Sequence, residues 1–161
     1  MAKKVKTNAM RILENAGVSF QVVTYEVDEN DLSGVHVAKT CGLPVEQVFK
    51  TLVAAGEQNG FLAVCIPVHM SLDMKKIAHV SENKRVEMLP MKELLPVTGY
   101  IRGGCSPIGM KKLFPTYLEE TAQLYDWIAI SAGVRGAQIL LSPADLLLYT
   151  KGIYCDIARE D

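Results

Sequence analysis

The amino-acid sequence predicts an α+β domain built on a mostly antiparallel sheet. Three observations predict it. Short helical and strand-like segments interleave along the chain. The clearest strand pairs are joined by turns rather than by crossover helices. And 161 residues favour a single domain, spanning 1–161. A chain of this length buries roughly 70% of its unfolded surface on folding, so its core needs no disulfide or metal staple.

The elements follow in order. Lys6 to Ala16 places Ala9, Met10, Ile12, Leu13 and Ala16 on one helical face, and Gly17 stops it. Val18 to Val27 alternates as a strand, with a slip at Val22-Val23 that reads as a bulge. Ser33 caps a short helix ending at Gly42. Val48 to Ala55 and Phe61 to Val68 flank Gly56-Glu57-Gln58-Asn59-Gly60, a hairpin with a five-residue connection. Ser71 is the expected cap of a helix running to about Val80, with Asp73 in its first turn. Arg85 to Met88 reads as a short strand and Met91 to Leu95 as one helical turn. Gly99 to Gly109 is a glycine-rich loop. Trp127 to Ser131 and Gln138 to Leu141 are strands joined through Gly133-Val134-Arg135-Gly136, and Ser142-Pro143 opens a last helix in cap-then-proline order.

Composition narrows the function classes. Hydrophobic residues make up 49% and charged residues 22%, which excludes a disordered chain. A net charge of −1 is not that of a stand-alone nucleic-acid binder. The bases fall in small clusters instead: Lys3, Lys4 and Lys6; Lys75 and Lys76; Lys84 and Arg85; Lys111 and Lys112. Any RNA contact is therefore local, or assisted by a partner. Cys41, Cys65, Cys105 and Cys155 form no CxxC pair, so zinc-finger and thioredoxin-type readings have no support. Cys41 and Cys65 sit among apolar residues, as buried free thiols do. The first residues, Met-Ala-Lys-Lys-Val-Lys, lack the apolar stretch of a signal peptide, and the longest apolar run, Phe61 to Val68, is too short to span a bilayer. A reducing cytoplasm is the simplest setting.

Lys50 stands out first. Val48, Leu52 and Ala54 share its strand face, and Phe49, Val53 and Ala55 occupy the other, so the strand reads as buried on both sides. A lysine there must be paired, bound to an anion or neutral. The alternative is an edge position whose amine snorkels to water. The glycine-rich loop is second. It is neither a P-loop nor G-x-G-x-x-G, but Gly103-Gly104 could bring backbone N–H groups to a ligand oxygen, unless the segment is a plain turn. Third, Ser131 and Arg135 could bind hydroxyl and phosphate groups of a nucleotide end; otherwise they close a turn and face water.

The usual catalytic sets are missing. His36, His69 and His79 form no metal motif; His36 and His79 fall on expected helices as surface residues, and His69 follows a strand where it could line a site. There is no G-x-S-x-G elbow. Cys105, and more weakly Ser106, are candidate nucleophiles without an identified base, and a packed, inert thiol is the competing reading.

Taken together, Phe49-Lys50-Thr51-Leu52, Gly99-Tyr100, the run Gly103-Gly104-Cys105-Ser106-Pro107-Ile108-Gly109 and Ile130-Ser131-Ala132-Gly133-Val134-Arg135-Gly136 resemble the YbaK/EbsC group of the prolyl-tRNA synthetase editing-domain superfamily. Thr24-Tyr25-Glu26 and Asp156-Ile157-Ala158-Arg159 fit as well, so the resemblance covers nearly the whole chain. It implies a bifurcated mixed sheet, partly barrel-like and packed with helices, and no metal or other cofactor. It implies that Lys50, Gly103 and Gly104 act on the substrate ester and that Tyr25, Thr51, Ser131 and Arg135 bind the substrate. Two positions depart from the group's pattern: Cys105 stands where an apolar residue is usual, and Gln138 where aspartate is usual, which removes a carboxylate role there.

The implied activity is deacylation of mischarged Cys-tRNA(Pro), with Cys-tRNA(Cys) as a further substrate. A pocket shaped for proline cannot strongly reject cysteine, since differences of one methylene give only about 1–3 kcal/mol. The implied mechanism uses the substrate's own thiol to attack its ester and expel the tRNA, leaving a cyclic thiolactone. The protein then supplies position and charge stabilisation, which accounts for the missing catalytic set. Weak net charge fits access to the acceptor end through a complex with prolyl-tRNA synthetase, and no membrane partner is expected. Two alternatives stay open: a deacylase for another small amino acid, such as alanine, using activated water, and a non-catalytic module that binds nucleotides or tRNA ends.

Overall fold

The computed structural model describes residues 6–58 and 60–160; Lys3 and Lys4 of the first basic cluster and Asn59 of the hairpin connection lie outside the described residues. Helix α1 (Asn8–Asn15) is capped by Thr7, whose hydroxyl accepts from Met10 N–H and donates to Ala132 C=O at 2.6 Å. The cap thus also ties the helix to the far end of the chain. Next come strand β1 (Gln21–Thr24) and helix α2 (Gly34–Cys41), with Ser33 as its N-cap and Gly42, at φ +70°, as its C-cap. A 3-10 turn at Val45–Gln47 leads into the long hairpin of β2 (Phe49–Gly56) and β3 (Gly60–Pro67). Strand β4 (Met70–Leu72), helix α3 (Met74–Val80), strand β5 (Val86–Met88) and helix α4 (Met91–Thr98) precede the glycine-rich loop. Strand β6 (Thr116–Glu119), a 3-10 turn at Glu120–Leu124, strands β7 (Ile128–Ser131) and β8 (Ala137–Leu141), helix α5 (Pro143–Thr150) and strands β9 (Ile153–Cys155) and β10 (Ala158–Glu160) complete the described chain.

The sheet is divided and mixed, as expected. A five-stranded sheet has the order β5-β2-β3-β6-β9; its first pairings are antiparallel, and β3-β6 and β6-β9 are parallel. A three-stranded antiparallel sheet has the order β1-β8-β7, and β10 pairs with β4. A parallel bridge between Val48 and Ala129 joins the start of β2 to β7. Strand β2, together with Val48 just before it, therefore touches each of the three core clusters. Phe49 packs in the cluster containing Leu13, Ile108 and Ile130; Ala54 in that of Val64, Ile66 and Ile77; and Val48 in that of Ala38, Val68 and Ala129. This three-way packing holds the first residues of β2 in place, and Lys50 is among them. No described helix is long and apolar enough to cross a membrane.

Several expectations are corrected. Strand β1 is four residues long and runs in continuous register with β8, with no bulge at Val22-Val23; at this sheet edge Val22 stays 40% exposed, so the apolar pair need not both turn inward. The hairpin strands reach the Gly56–Gly60 pair, which shortens the five-residue connection. Asp73, not Ser71, caps α3: its carboxylate accepts from Lys75 and Lys76 N–H at 3.1 and 3.0 Å, while Ser71 pairs within β4. Helix α4 continues to Thr98 through Pro96, which falls on its last turns. Strands β4, β6, β9 and β10 have no counterpart among the predicted elements. At the end of β6 the buried Glu119 carboxylate accepts from the N–H groups of Thr121, Ile157 and Ala158, so it is a structural clasp for the C-terminal segment.

Candidate active site

A cleft of about 540 Å³ opens beside β2. Its walls come from the N-terminus of α2, β2 itself, the β3–β4 turn, the β5–α4 connection, the glycine-rich loop and the β7–β8 pair. Gly34 lets α2 approach this closely: a Cβ there would stand 2.3 Å from Val68 Cγ1.

Lys50 lies in this cleft, half-buried, and its amine reaches the Val68 carbonyl at 3.5 Å. Strand β3 flanks β2 from Phe49 to Gly56, whereas β5 pairs only with Ala54–Gly56, so at Lys50 the second side of β2 is an edge that borders the cleft rather than a neighbouring strand. Thr51, Gly103 and Ser131 also line the cleft, so sequence positions 50, 103 and 131 meet in one place. The electrostatic character is simple. Lys50 and Arg102 are the charged side chains in the described wall, and no carboxylate joins them. Val37, Phe49, Leu52, Met88, Met91 and Leu94 make the remainder largely apolar, a surface suited to a flat base or small side chain.

Three of the named residues stand outside that wall. Tyr25 follows β1, half-buried, and its N–H donates to Gly136 C=O at 2.9 Å. Gly104 donates its N–H to Ile101 C=O at 2.9 Å, closing a turn in which Gly103 adopts φ +83°. That commitment corrects the expectation of two glycine N–H groups pointing at one ligand oxygen. Gly104 has a packing role instead: a Cβ would stand 3.2 Å from backbone atoms of Val134. Arg135 lies behind the loop, with Nε donating to Arg102 C=O at 2.8 Å. It holds the loop rather than facing the cleft.

The candidate nucleophiles are disarmed. Cys105 reaches the cleft wall but is only 8% exposed, and burial, with a smaller contribution from Cys65, pushes its thiol up to about 12. Burial likewise pushes Cys65 up to about 12 against the opposing effect of the Thr51 hydroxyl, 3.6 Å from its sulfur. Both thiols are protonated near neutrality, and thiolate is the reactive form. Ser106 is fully buried and accepts from Ile108 N–H at 3.2 Å. His69 and His79 are exposed and outside the wall, and His36 sits at the surface between Asp28 and Asp31 at 3.8 and 3.6 Å.

The sequence reading missed Arg102, Gly34 and the Met88–Leu94 wall. A cation beside Gly103-Gly104 was a readable signal; the wall was not, because nothing local in Met88 or Leu94 marks a site. Gln138 was noted only as a departure, yet it is β8's register partner of Ser131 and lines the same cleft.

Residues 32–148 match the family described as aminoacyl-tRNA editing domain. The chain is 48% identical over 164 residues, spanning 100% of both chains, to a protein of Enterococcus faecalis that bears the name "Putative Cys-tRNA(Pro)/Cys-tRNA(Cys) deacylase EbsC". Among solved structures, it resembles one described as "a putative trans-editing enzyme for prolyl tRNA synthetase", with TM-score 0.82 and 24% identity over 97% of this chain and 99% of that one. It also resembles a hypothetical protein, with TM-score 0.84 and 18% identity over 92% of this chain and 97% of that one. At these identities the two structures speak for the fold.

Proposed function

The chain belongs to the aminoacyl-tRNA editing domain family, and from that premise we propose that this deacylase removes cysteine from mischarged tRNA(Pro), and from tRNA(Cys) as a further substrate, in the cleft around Lys50. The observation that carries the reading is a half-buried lysine amine in a cleft whose described wall holds a second cation and no carboxylate. Such a site favours an anionic, acceptor-rich ligand. The phosphate and ribose oxygens of a terminal adenosine, together with the aminoacyl ester carbonyl, are one.

In this reading Lys50 anchors the acceptor end and stabilises charge on the ester, Gly103 N–H meets the developing oxyanion, and Ser131 orients the adenosine or aminoacyl group. Thr51 contributes to the wall. Gly104, Tyr25 and Arg135 act through packing and loop position. The apolar Met88–Leu94 face accommodates the base.

The protonated, buried thiol of Cys105 and the enclosed Ser106 favour a nucleophile brought by the substrate. The cysteinyl thiol gives its proton to water, its sulfur bonds the ester carbonyl carbon, the C–O bond to the ribose breaks, and the ribose oxygen takes a proton. A free thiolactone leaves, to be opened by water. The protein supplies proximity and electrostatic stabilisation, which suffice for large rate effects.

The test compares cysteinyl-tRNA(Pro) with its S-methylcysteinyl analogue. The account expects fast deacylation of the first and at least a hundredfold slower reaction of the second; equal rates would rule out thiol attack and favour activated water. A net charge of −1 further supports recruitment to the tRNA through prolyl-tRNA synthetase. Co-elution of the chain with synthetase and tRNA(Pro) is the expected outcome, and its absence at micromolar concentrations would remove that partner.

A further inference from the structure

Gln138 presents an unmet polar group in the cleft. It is 5% exposed, it lines the cavity wall, and its side-chain oxygen has no hydrogen-bond partner among the described residues. Buried polar atoms are nearly always paired, and one left unpaired costs stability that a glutamine at an ordinary packing position would not retain. The rest of the cleft's polar equipment is mostly donors: the Lys50 amine, the Arg102 guanidinium and the Gly103 backbone. The neighbouring acceptor, the Ser131 hydroxyl, already accepts from Gly133 N–H at 3.1 Å. A ligand held there by its oxygens still has hydrogen-bond donors to place. In an aminoacyl ester the donor nearest the reacting carbonyl is the α-amino group.

We propose that Gln138 is a specificity-determining residue whose side-chain oxygen accepts a hydrogen bond from the α-amino group of the aminoacyl moiety. This rests on the deacylase reading. Gln138 lines the cleft, and the broad terminal torsion of a glutamine side chain lets its oxygen turn toward a ligand without leaving its rotamer. Its register partner Ser131 fixes β8 beside the cleft, so the acceptor's position is set by sheet pairing rather than by a loop. A neutral acceptor also lets the site take the amino group without placing a carboxylate near the ester, where it would oppose the charge that Lys50 stabilises.

The experiment crosses two substrates with three proteins. The substrates are cysteinyl-tRNA(Pro) and 3-mercaptopropionyl-tRNA(Pro), which keeps the thiol and ester but lacks the amino group. The proteins are the full chain as wild type, Gln138→Met, which keeps length without polar atoms, and Gln138→Glu, which keeps an acceptor. Wild type is expected to prefer the cysteinyl ester by at least about tenfold in kcat/KM, Gln138→Met to act on both at similar rates, and Gln138→Glu to keep the preference. Because Met removes an unpaired buried oxygen, its Tm is expected to equal or exceed that of wild type. A wild type without preference, or a Gln138→Met that keeps it, overturns the proposal; in the latter case an equal fall on both esters places the oxygen against the adenosine instead. A wild type inactive on both esters overturns the deacylase reading itself, and this proposal with it.

Discussion

Arg135 Nε donates to the carbonyl oxygen of Arg102 at 2.8 Å, so the turn between β7 and β8 holds the glycine-rich loop against the cleft. The same side chain covers Gly103, where a Cβ would stand 3.3 Å from Nε. Arg135 is therefore a positioning residue. Arg135→Ala should lower kcat for deacylation by about fivefold, the scale of one lost hydrogen bond of about 1 kcal/mol, with KM for the tRNA little changed. Hydrogen exchange at residues 102–105 should rise in the variant. A large KM effect with unchanged exchange would place Arg135 on the RNA instead.

Cys105 lies in the wall of the cleft, yet its thiol stays protonated near neutrality. Cys105→Ala should keep deacylation within about threefold of wild type at pH 7, since no covalent step passes through it. A loss of a thousandfold, or an acyl-enzyme trapped by rapid quench, would make it the nucleophile.

The buried thiols also set an alkaline limit on stability. Cys65 is fully buried, with its thiol pushed from 9.0 up to about 12 by desolvation. A folded-state value above the unfolded one means that the stabilising contribution is complete below pH 9. It is lost as the pH rises toward 12, because the unfolded chain releases the proton first. Each such group removes about 1.4 kcal/mol per pH unit in that window. Urea midpoints under reducing conditions should thus fall between pH 9 and 10.5 and hold steady between pH 7 and 8.5. Cys65→Ala should flatten the alkaline slope; an unchanged slope would assign it to other groups, such as Tyr100, which burial also pushes up to about 12.

What the sequence disclosed follows from which forces are local. Thr51 and Lys50 could be placed on a buried strand because apolar residues on both faces of one segment are visible in the chain itself. The caps Ser33 and Gly42 were legible for the same reason. Asp73 was placed in the first turn rather than at the cap, since Ser71 and Asp73 offer the same chemistry two residues apart and only the pairing of Ser71 with Arg159 decides between them. Strands β6 and β9 were not legible. They are short and gain their hydrogen bonds from parallel neighbours remote in sequence, and β6 ends in a glutamate that alone would suggest surface. In the site, Lys50, Gly103 and Ser131 were nameable. The separation of Gly103 from Gly104, and of Arg102 from Arg135, depended on which N–H and which guanidinium the loop uses for itself. The unpaired oxygen of Gln138 exists only once the fold has buried it.

The central claim is that Lys50 holds and stabilises the aminoacyl ester in a cationic cleft. Its most direct test is single-turnover deacylation of Cys-tRNA(Pro) by wild type and Lys50→Ala at equal, saturating enzyme. The account predicts a fall of about a hundredfold or more, the scale of one lost electrostatic contact to the transition state. Equal rates for the two proteins, with Lys50→Ala folded as judged by its Tm, would contradict it.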